Sequence, residues 1–374
     1  MTGKSKLGLA WFTPKSRSKK SNSNQFQSWQ GLLGLFLLLL LGYFGCEPPP
    51  SDQARSYPGD SVQSSADNTT TAGQWATSNQ IGWNGSDQSG YTETSVPGRR
   101  EAILVGSFNI QTFGRAKMSR PDVVEILVDI ARRFDILAIQ ELRDISEETI
   151  PEFLALINAD GSRFRAVVSP RISYQESRYA EQLVYLYDAD QIEVISQPYV
   201  AFDPYDDMYR PPFVTHFRCL SYPREDAFSF VLMNIHVAPL RTATEFKAME
   251  TIVSLIRDEH PGEDDFILIG DMNEEPGRFN QYRWFQNQFA AIPSQWKTNT
   301  RLTKNYDNII FDFRQTAEFT GQSGVLNIMD EYGLSLEQAL LVSDHLPVWA
   351  VFSTREQNRN AMGSRAELNL PQTR

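Results

Sequence analysis

Three stretches of this 374-residue chain follow one pattern. FDILAIQEL (134–142), FSFVLMNIHVA (228–238) and DFILIGDMN (265–273) each run apolar and then meet a carboxylate, an imidazole or an amide. Short continuous apolar runs of this kind read as strands buried on both faces. EAILVGSFNI (101–110), FRAVVS (164–169), QLVYLY (182–187), QIEVIS (191–196), FVTHFRC (213–219), YDNIIFD (306–312) and HLPVWAVF (345–352) read as further strands, several joined by short turns such as DAD (188–190). Helical spacing predicts two helices. In PDVVEILVDIARRF (121–134), Val123, Leu127, Ile130 and Ala131 form one stripe, Pro121 suits the first turn and Ser119 is the expected cap. In TEFKAMETIVSLIRDEH (244–260) the stripe is Phe246, Met249, Val253 and Ile256. Strands outnumber helices and many are linked as hairpins. That argues against a doubly wound parallel sheet and for an α/β (α+β) fold, a mixed sandwich with helices on its outer faces.

The first 46 residues differ from the rest. Lys4, Lys6, Lys15, Arg17, Lys19 and Lys20 precede the uncharged run GLLGLFLLLLLGYFG (31–45), the layout of an export signal. The run is short of the roughly 20 apolar residues that span a bilayer, although an uncleaved anchor is an alternative. Gly45-Cys46 resembles a bacterial lipoprotein junction, in which Cys46 would be lipidated; Tyr43 departs from the leucine usual there. An ordinary signal peptide with a chance cysteine is the rival reading. Residues 47–99 are rich in Ser, Gly, Gln, Asn, Thr and Pro without apolar periodicity, so a flexible linker is expected, with Trp75 and Trp83 unassigned. Residues 100–353 are then expected to form the folded domain, and 354–374 a polar tail. The location implied is extracytoplasmic, secreted or membrane-anchored. Cys219 is the only other cysteine, so an exported chain has at most one disulfide, and none if Cys46 is acylated; stability must then come from a sizeable core.

The net charge is −11, and without the six leader cations it is −17. A protein that coats nucleic acid through a broad basic face is thereby disfavoured. An enzyme that grips phosphate locally is not.

Polar residues recur at the strand ends: Asn109, Glu141, His236, Asp271, Asn273, Asp307, Asp344 and His345. Each has a bland reading alone. GDMNEEPG is a good turn, Glu141 a solvated acid, Asn109 a local cap. His216 reads as structural and His260 as a loop residue. The chain has only four histidines, however, and two of them sit at apolar strand ends beside acids. That combination suits phosphodiester cleavage. A divalent cation held by hard carboxylate oxygens neutralises the phosphate, and an imidazole oriented by an acid takes a proton from water. Glu141 and Asp344 suit magnesium or manganese. Cysteine-based zinc chemistry, Walker-type nucleotide binding and GxSxG hydrolysis have no supporting motif.

SFNIQTFGRAKMS (107–119), DILAIQELRD (135–144), NIHVAP (234–239), LIGDMNEEP (268–276), YDNII (306–310) and SDHLPV (343–348) together resemble the endonuclease/exonuclease/phosphatase superfamily. The first two, with SRYAEQLVYLY (177–187) and YRPPF (209–213), resemble its deoxyribonuclease I branch. The resemblance covers about 102–352 and implies a four-layer sandwich, two packed mixed β-sheets flanked by helices, with the site at one rim. It implies Glu141 as metal ligand with Asp344 and Asn109 nearby. It implies two catalytic histidines, His236 oriented by Glu181 and His345 by Asp307. Asp271 and Asn273 would contact the reacting phosphate or its metal, and Arg143, Tyr179 and Arg210 would hold DNA. Calcium is a further candidate ion at Asp203, Asp206 and Asp207, although the loop is short, its cysteines are missing and Pro211 stands where the family usually has glutamate. The expectation is an exported, monomeric, metal-dependent endonuclease of low sequence preference. The alternatives are a phosphodiesterase or phosphatase of the same fold acting on phospholipid or inositol phosphate, and a non-catalytic surface binding module.

Overall fold

The computed structural model describes residues 100–173 and 180–357. The leader with Cys46, the linker, Tyr179 and most of the tail lie outside the described residues. In chain order the strands are β1 (Ala102–Phe113), β2 (Ile136–Leu142), β3 (Phe164–Val168), β4 (Gln182–Asp188), β5 (Ile192–Val194), β6 (Tyr199–Val200) and β7 (Phe213–Cys219). They continue as β8 (Ser229–His236), β9 (Phe266–Asp271), β10 (Phe289–Ala290), β11 (Asp307–Phe311), β12 (Phe319–Val325) and β13 (Val348–Ser353). The α-helices are α1 (Arg115–Met118), α2 (Pro121–Arg132), α3 (Thr149–Ile157), α4 (Thr242–Glu259), α5 (Ile328–Tyr332) and α6 (Leu336–Val342).

The first sheet has the order β12-β13-β1-β2-β4-β3, and the second β10-β11-β9-β8-β7-β5 with β6 also paired to β7. Both are mixed: β1–β2 and β8–β9 are parallel, and the other pairs are antiparallel. The apolar runs follow from this layering. In β1 and β2, Ile103, Val105, Ile136 and Ala138 face the second sheet, while Phe108, Ile110, Leu137 and Ile139 face α2 and α3. In β8 and β9, Phe230, Leu232, Ile267 and Ile269 face inward, while Val231, Met233, Phe266 and Leu268 meet the stripe of α4, including Phe246, Met249 and Val253. Successive side chains alternate faces, so a strand covered on both sides must be apolar throughout. Each such large apolar side chain contributes about 1.5–3 kcal/mol by leaving water.

Polar groups between the sheets fix how the layers register. Gln140 donates to Asn234 at 2.7 Å, and Asn234 donates to the Ile139 and Val184 carbonyls at 3.2 and 3.1 Å. The Tyr185 hydroxyl, from the first sheet, reaches the Phe213 and Leu232 carbonyls of the second at 2.9 and 2.8 Å. Gln140 precedes Glu141, and Asn234 lies two residues before His236. The same network therefore sets the two strand ends against each other.

One local expectation changes. Ser119 does not cap α2; its hydroxyl donates to the Ala116 carbonyl and closes α1, while Arg120 takes the cap position. His260 is a loop residue as expected, just past α4, and it is buried: 9 % exposed, near the Tyr199 hydroxyl at 3.3 Å and edge-on to His216. His216 is structural as expected, held to Glu263 at 3.0 Å.

Gly270 sits one residue before Asp271 with φ 143°, and a Cβ there would lie 2.0 Å from the Ile235 carbonyl oxygen. Only glycine lets β9 approach β8 this closely. Gly270→Ala is expected to cost at least about 2 kcal/mol in stability, measured by urea unfolding. A cost within experimental error would show that β8 and β9 have room to part.

Candidate active site

Register brings the strand ends together. His236 at the end of β8 pairs in register with Asp271 at the end of β9, and Asp271 pairs with Asp307 at the start of β11. Asn109, in β1 of the other sheet, donates its amide to Asp271 Oδ2 at 3.0 Å. Four polar residues from two sheets thus meet at one rim. Glu181, one residue before β4, accepts from His236 Nδ1 at 2.7 Å. Asp307 lies 2.8 Å from His345 Nδ1 through Oδ2 and 3.1 Å through Oδ1.

The two imidazoles are arranged alike. Each gives Nδ1 to a buried acid and turns Nε2 toward the same atom, Asp271 Oδ2, at 3.6 Å. Their acids differ in company. Glu181 is shared with Arg210 at 3.1 Å and Arg143 at 3.7 Å. Burial would raise its carboxyl, but His236, Arg210 and Arg143 outweigh it and hold it below the usual range. Asp307 is fully buried, accepts the Thr298 hydroxyl at 2.7 Å and is pushed up by burial. Burial would lower His345, but the carboxylates of Asp307 and Asp271 outweigh it and push the imidazole up to about 10.

Asn273 carries φ 47° and follows Asp271, whose Oδ1 accepts its amide at 2.9 Å. Its side chain donates to the Val237 carbonyl at 2.9 Å, tying this turn to the His236 strand. Glu141 also has positive φ, 64°, where both neighbouring ladders of β2 slip register. Such a kink re-aims a side chain at the cost of local strain. Here it turns Glu141 to accept the Thr112 amide at 2.9 Å and to pair with Arg143 at 3.1 Å.

The rim offers donors for a cation. Asn109 Oδ1 is buried and has no hydrogen-bond partner, so a hard acceptor stands unused beside Asp271. Glu141 and Asp344 both act on one ammonium, that of Lys117. Asp271, Asp307 and His345 each place a ligand atom within 4.8 Å of the others, a tighter group than any that includes Glu141 or Asp344 among the described residues. Magnesium needs only one or two carboxylates and completes its shell with water and substrate phosphate. Glu141 and Asp344 each offer one such carboxylate. The 203–210 loop does not gather its acids around an ion: Asp203 accepts from the Tyr205 and Met208 amides at 3.2 and 2.8 Å, and the loop's three aspartates form no ligand cluster.

The neighbours Asp344 and His345 therefore have separate partners. His345 turns to Asp307 and Asp271, whereas the charge of Asp344, like that of Glu141, raises the pKa of the Lys117 ammonium. Arg210 is largely buried and donates to the His236 carbonyl at 2.8 Å, so it braces the histidine strand as well as facing the rim. Arg143 is 37 % exposed.

Three residues escape sequence reasoning. Lys117 donates to the Val342 carbonyl at 2.6 Å, and burial pushes its ammonium down to about 8 against the pull of Asp344 and Glu141. Its signal was weak, a lone base in a short helical segment. Glu245 is fully buried and accepts the Tyr209 and Ala238 amides, each at 3.1 Å, which binds the Arg210 loop to the His236 strand. Its signal was present: it falls on the apolar stripe of α4, four residues before Met249. Thr298 has no sequence signal.

The Endonuclease/Exonuclease/phosphatase family model matches residues 106–308, more than half of the chain. The chain belongs to this family. Among similar curated proteins, deoxyribonuclease-1-like 2 of Mus musculus is 28% identical over 264 residues, covering 68% of this chain and 92% of that protein. Deoxyribonuclease-1-like 1 of Homo sapiens is 29% identical over 259 residues, covering 66% of this chain and 83% of that protein. Among solved structures, the human Nocturnin catalytic domain with bound sulfate is similar over 68% of this chain and 95% of its own, at 15% identity and a TM-score of 0.46. The fold is the family's α/β arrangement of two mixed sheets flanked by helices, and family membership makes the chain a hydrolase.

Proposed function

We propose that the chain is a metal-dependent endonuclease that hydrolyses DNA phosphodiester bonds with low sequence preference. One observation carries the reading: two imidazoles, each backed by a buried acid, converge on Asp271, His236 from the end of β8 in one sheet and His345 from just before β13 of the other. Glu141, Asp344 and Asn109 would hold magnesium or manganese, which when bound neutralises the phosphate and polarises its oxygens. His236, oriented by Glu181, takes the proton of the attacking water at Nε2. His345, charged and backed by Asp307, donates its Nε2 proton to the leaving oxygen. Asn273 and Asp271 position the phosphate group between them. Arg143, Arg210 and Tyr179 hold the strand backbone. DNA is favoured as substrate by the deoxyribonuclease names of the similar curated proteins and by the QELRD segment that places Arg143 at the rim. The basic leader, apolar run and Cys46 support export, with tethering by lipid or anchor.

Supercoiled plasmid and a phospholipid phosphodiester are to be incubated side by side with the full-length protein, with magnesium and with chelator. Nicking that chelator abolishes, with the lipid untouched, is expected. Intact plasmid under every metal condition would refute the nuclease, and lipid hydrolysis alone would move the activity to the family's other substrates.

A further inference from the structure

The end of the sandwich opposite the catalytic rim holds a second group of acids. Asp265 immediately precedes β9, so it stands at the far end of the strand that carries Asp271, roughly 20 Å away at about 3.3 Å per residue. Glu318 immediately precedes β12, and Glu356 follows the end of β13, its antiparallel neighbour. Asp265 belongs to one sheet and the two glutamates to the other. Each offers a carboxylate oxygen, and the three atoms lie within 4.8 Å of one another.

The oxygens there are conspicuously unused. Asp265 is 0 % exposed, and neither of its carboxylate oxygens has a hydrogen-bond partner. Glu318 is 1 % exposed; one oxygen accepts the Gln357 amide at 2.6 Å and the other has no partner. The Thr316 hydroxyl, also 1 % exposed, is near enough to Asp265 to draw its pKa down, yet it lies outside good hydrogen-bond geometry and has no partner of its own. A non-acidic buried donor thus points to the same place. Buried charge without a partner costs several kcal/mol, so something must neutralise this pocket.

We propose that Asp265, Glu318 and Glu356, with the Thr316 hydroxyl, form a structural site for a hard divalent cation of the calcium class that clamps the two sheets together. The spacing suits an ion: one oxygen of each acid lies within 4.8 Å of the other two. Calcium sits about 2.3–2.6 Å from each oxygen, so ligands around it lie up to about 5 Å apart. The pocket also offers only oxygen donors, including both oxygens of Asp265 for bidentate contact. Without an ion, burial and the neighbouring acids Glu318, Glu356 and Glu263 push Asp265 up to about 9, and burial with neighbouring acids brings Glu318 and Glu356 to about 7. The site is distinct from the catalytic rim and from the 203–210 loop, and it stands whether or not the nuclease reading holds.

The test is thermal unfolding and calcium titration of chelator-stripped full-length protein carrying Glu141→Gln and Asp344→Asn, which weaken cation binding at the rim. In that background ~1 mM calcium is expected to raise Tm by roughly 5 °C. Adding Glu318→Gln or Asp265→Asn should abolish the rise and remove one bound calcium per chain. Should either substitution prevent folding, Glu356→Gln, at the more exposed side of the group, is expected to weaken calcium binding at least about tenfold. No calcium-dependent rise in the starting background, or an equal rise in the folded variants, would overturn the site.

Discussion

His236→Ala and His345→Ala are each expected to lower kcat for plasmid cleavage by about a thousandfold, and the double variant by little more. General acid and base groups contribute about 10²–10⁴-fold each, and residues serving one step lose their effects together rather than in sum. The geometry requires such coupling, because both Nε2 atoms face Asp271 Oδ2 at the same 3.6 Å. Steady-state kinetics on the three variants decides it. A multiplicative loss in the double variant would mean that the imidazoles act in separate events. His345→Gln separates chemistry from packing, since its amide can still donate to buried Asp307. The pair also leaves a pH signature. The folded-state pKa of His345 is raised from 6.5 to about 10, so its stabilisation is complete below about pH 6.5 and fades as pH rises through about 10. Urea midpoints of wild type should therefore fall relative to His345→Gln across that interval.

Glu141→Gln is expected to raise the magnesium concentration for half-maximal activity at least about tenfold while leaving kcat at saturating magnesium within a few-fold of wild type. Asp344→Asn should behave alike, because the charges of both acids raise the pKa of the same Lys117 ammonium. Asp307→Asn should differ: it removes the acid behind His345, and no magnesium concentration should restore turnover. The contrast separates a ligand from an orienting residue. If magnesium rescues Asp307→Asn and not Glu141→Gln, the cation belongs instead at the tighter Asp271, Asp307 and His345 group.

Strands buried on both faces were plain in the sequence, because β2, β8 and β9 carry apolar residues on both faces until their polar ends. β12 was not: its sequence FTGQSGV is an edge strand, half solvated and with two glycines, and no hydrophobic pattern marks it. Helices α3, α5 and α6 also went unread. α6 is seven residues long, and its Ser335–Gln338 capping box is a local signal easily lost in a polar stretch. At the rim, periodicity named the strand-end residues but not their pairing. Glu181 and His236 are 55 residues apart and meet only through sheet order, so that pairing came from family resemblance. Lys117 and Thr298 act through side-chain and carbonyl contacts that no spacing rule encodes. Asp265 opens the DFILIGDMN stretch with nothing to mark it as more than a strand's first residue; burial of both its oxygens is a tertiary fact.

The most direct test of the rim uses Asp271→Ala, which removes the atom on which both imidazoles and Asn109 converge. Wild type and variant, purified in parallel and shown to be folded, are assayed for nicking of supercoiled plasmid in magnesium. Magnesium-dependent nicking by wild type with at least about a thousandfold loss in the variant is expected. Equal nicking by the two proteins would contradict a single catalytic centre built on these strand ends.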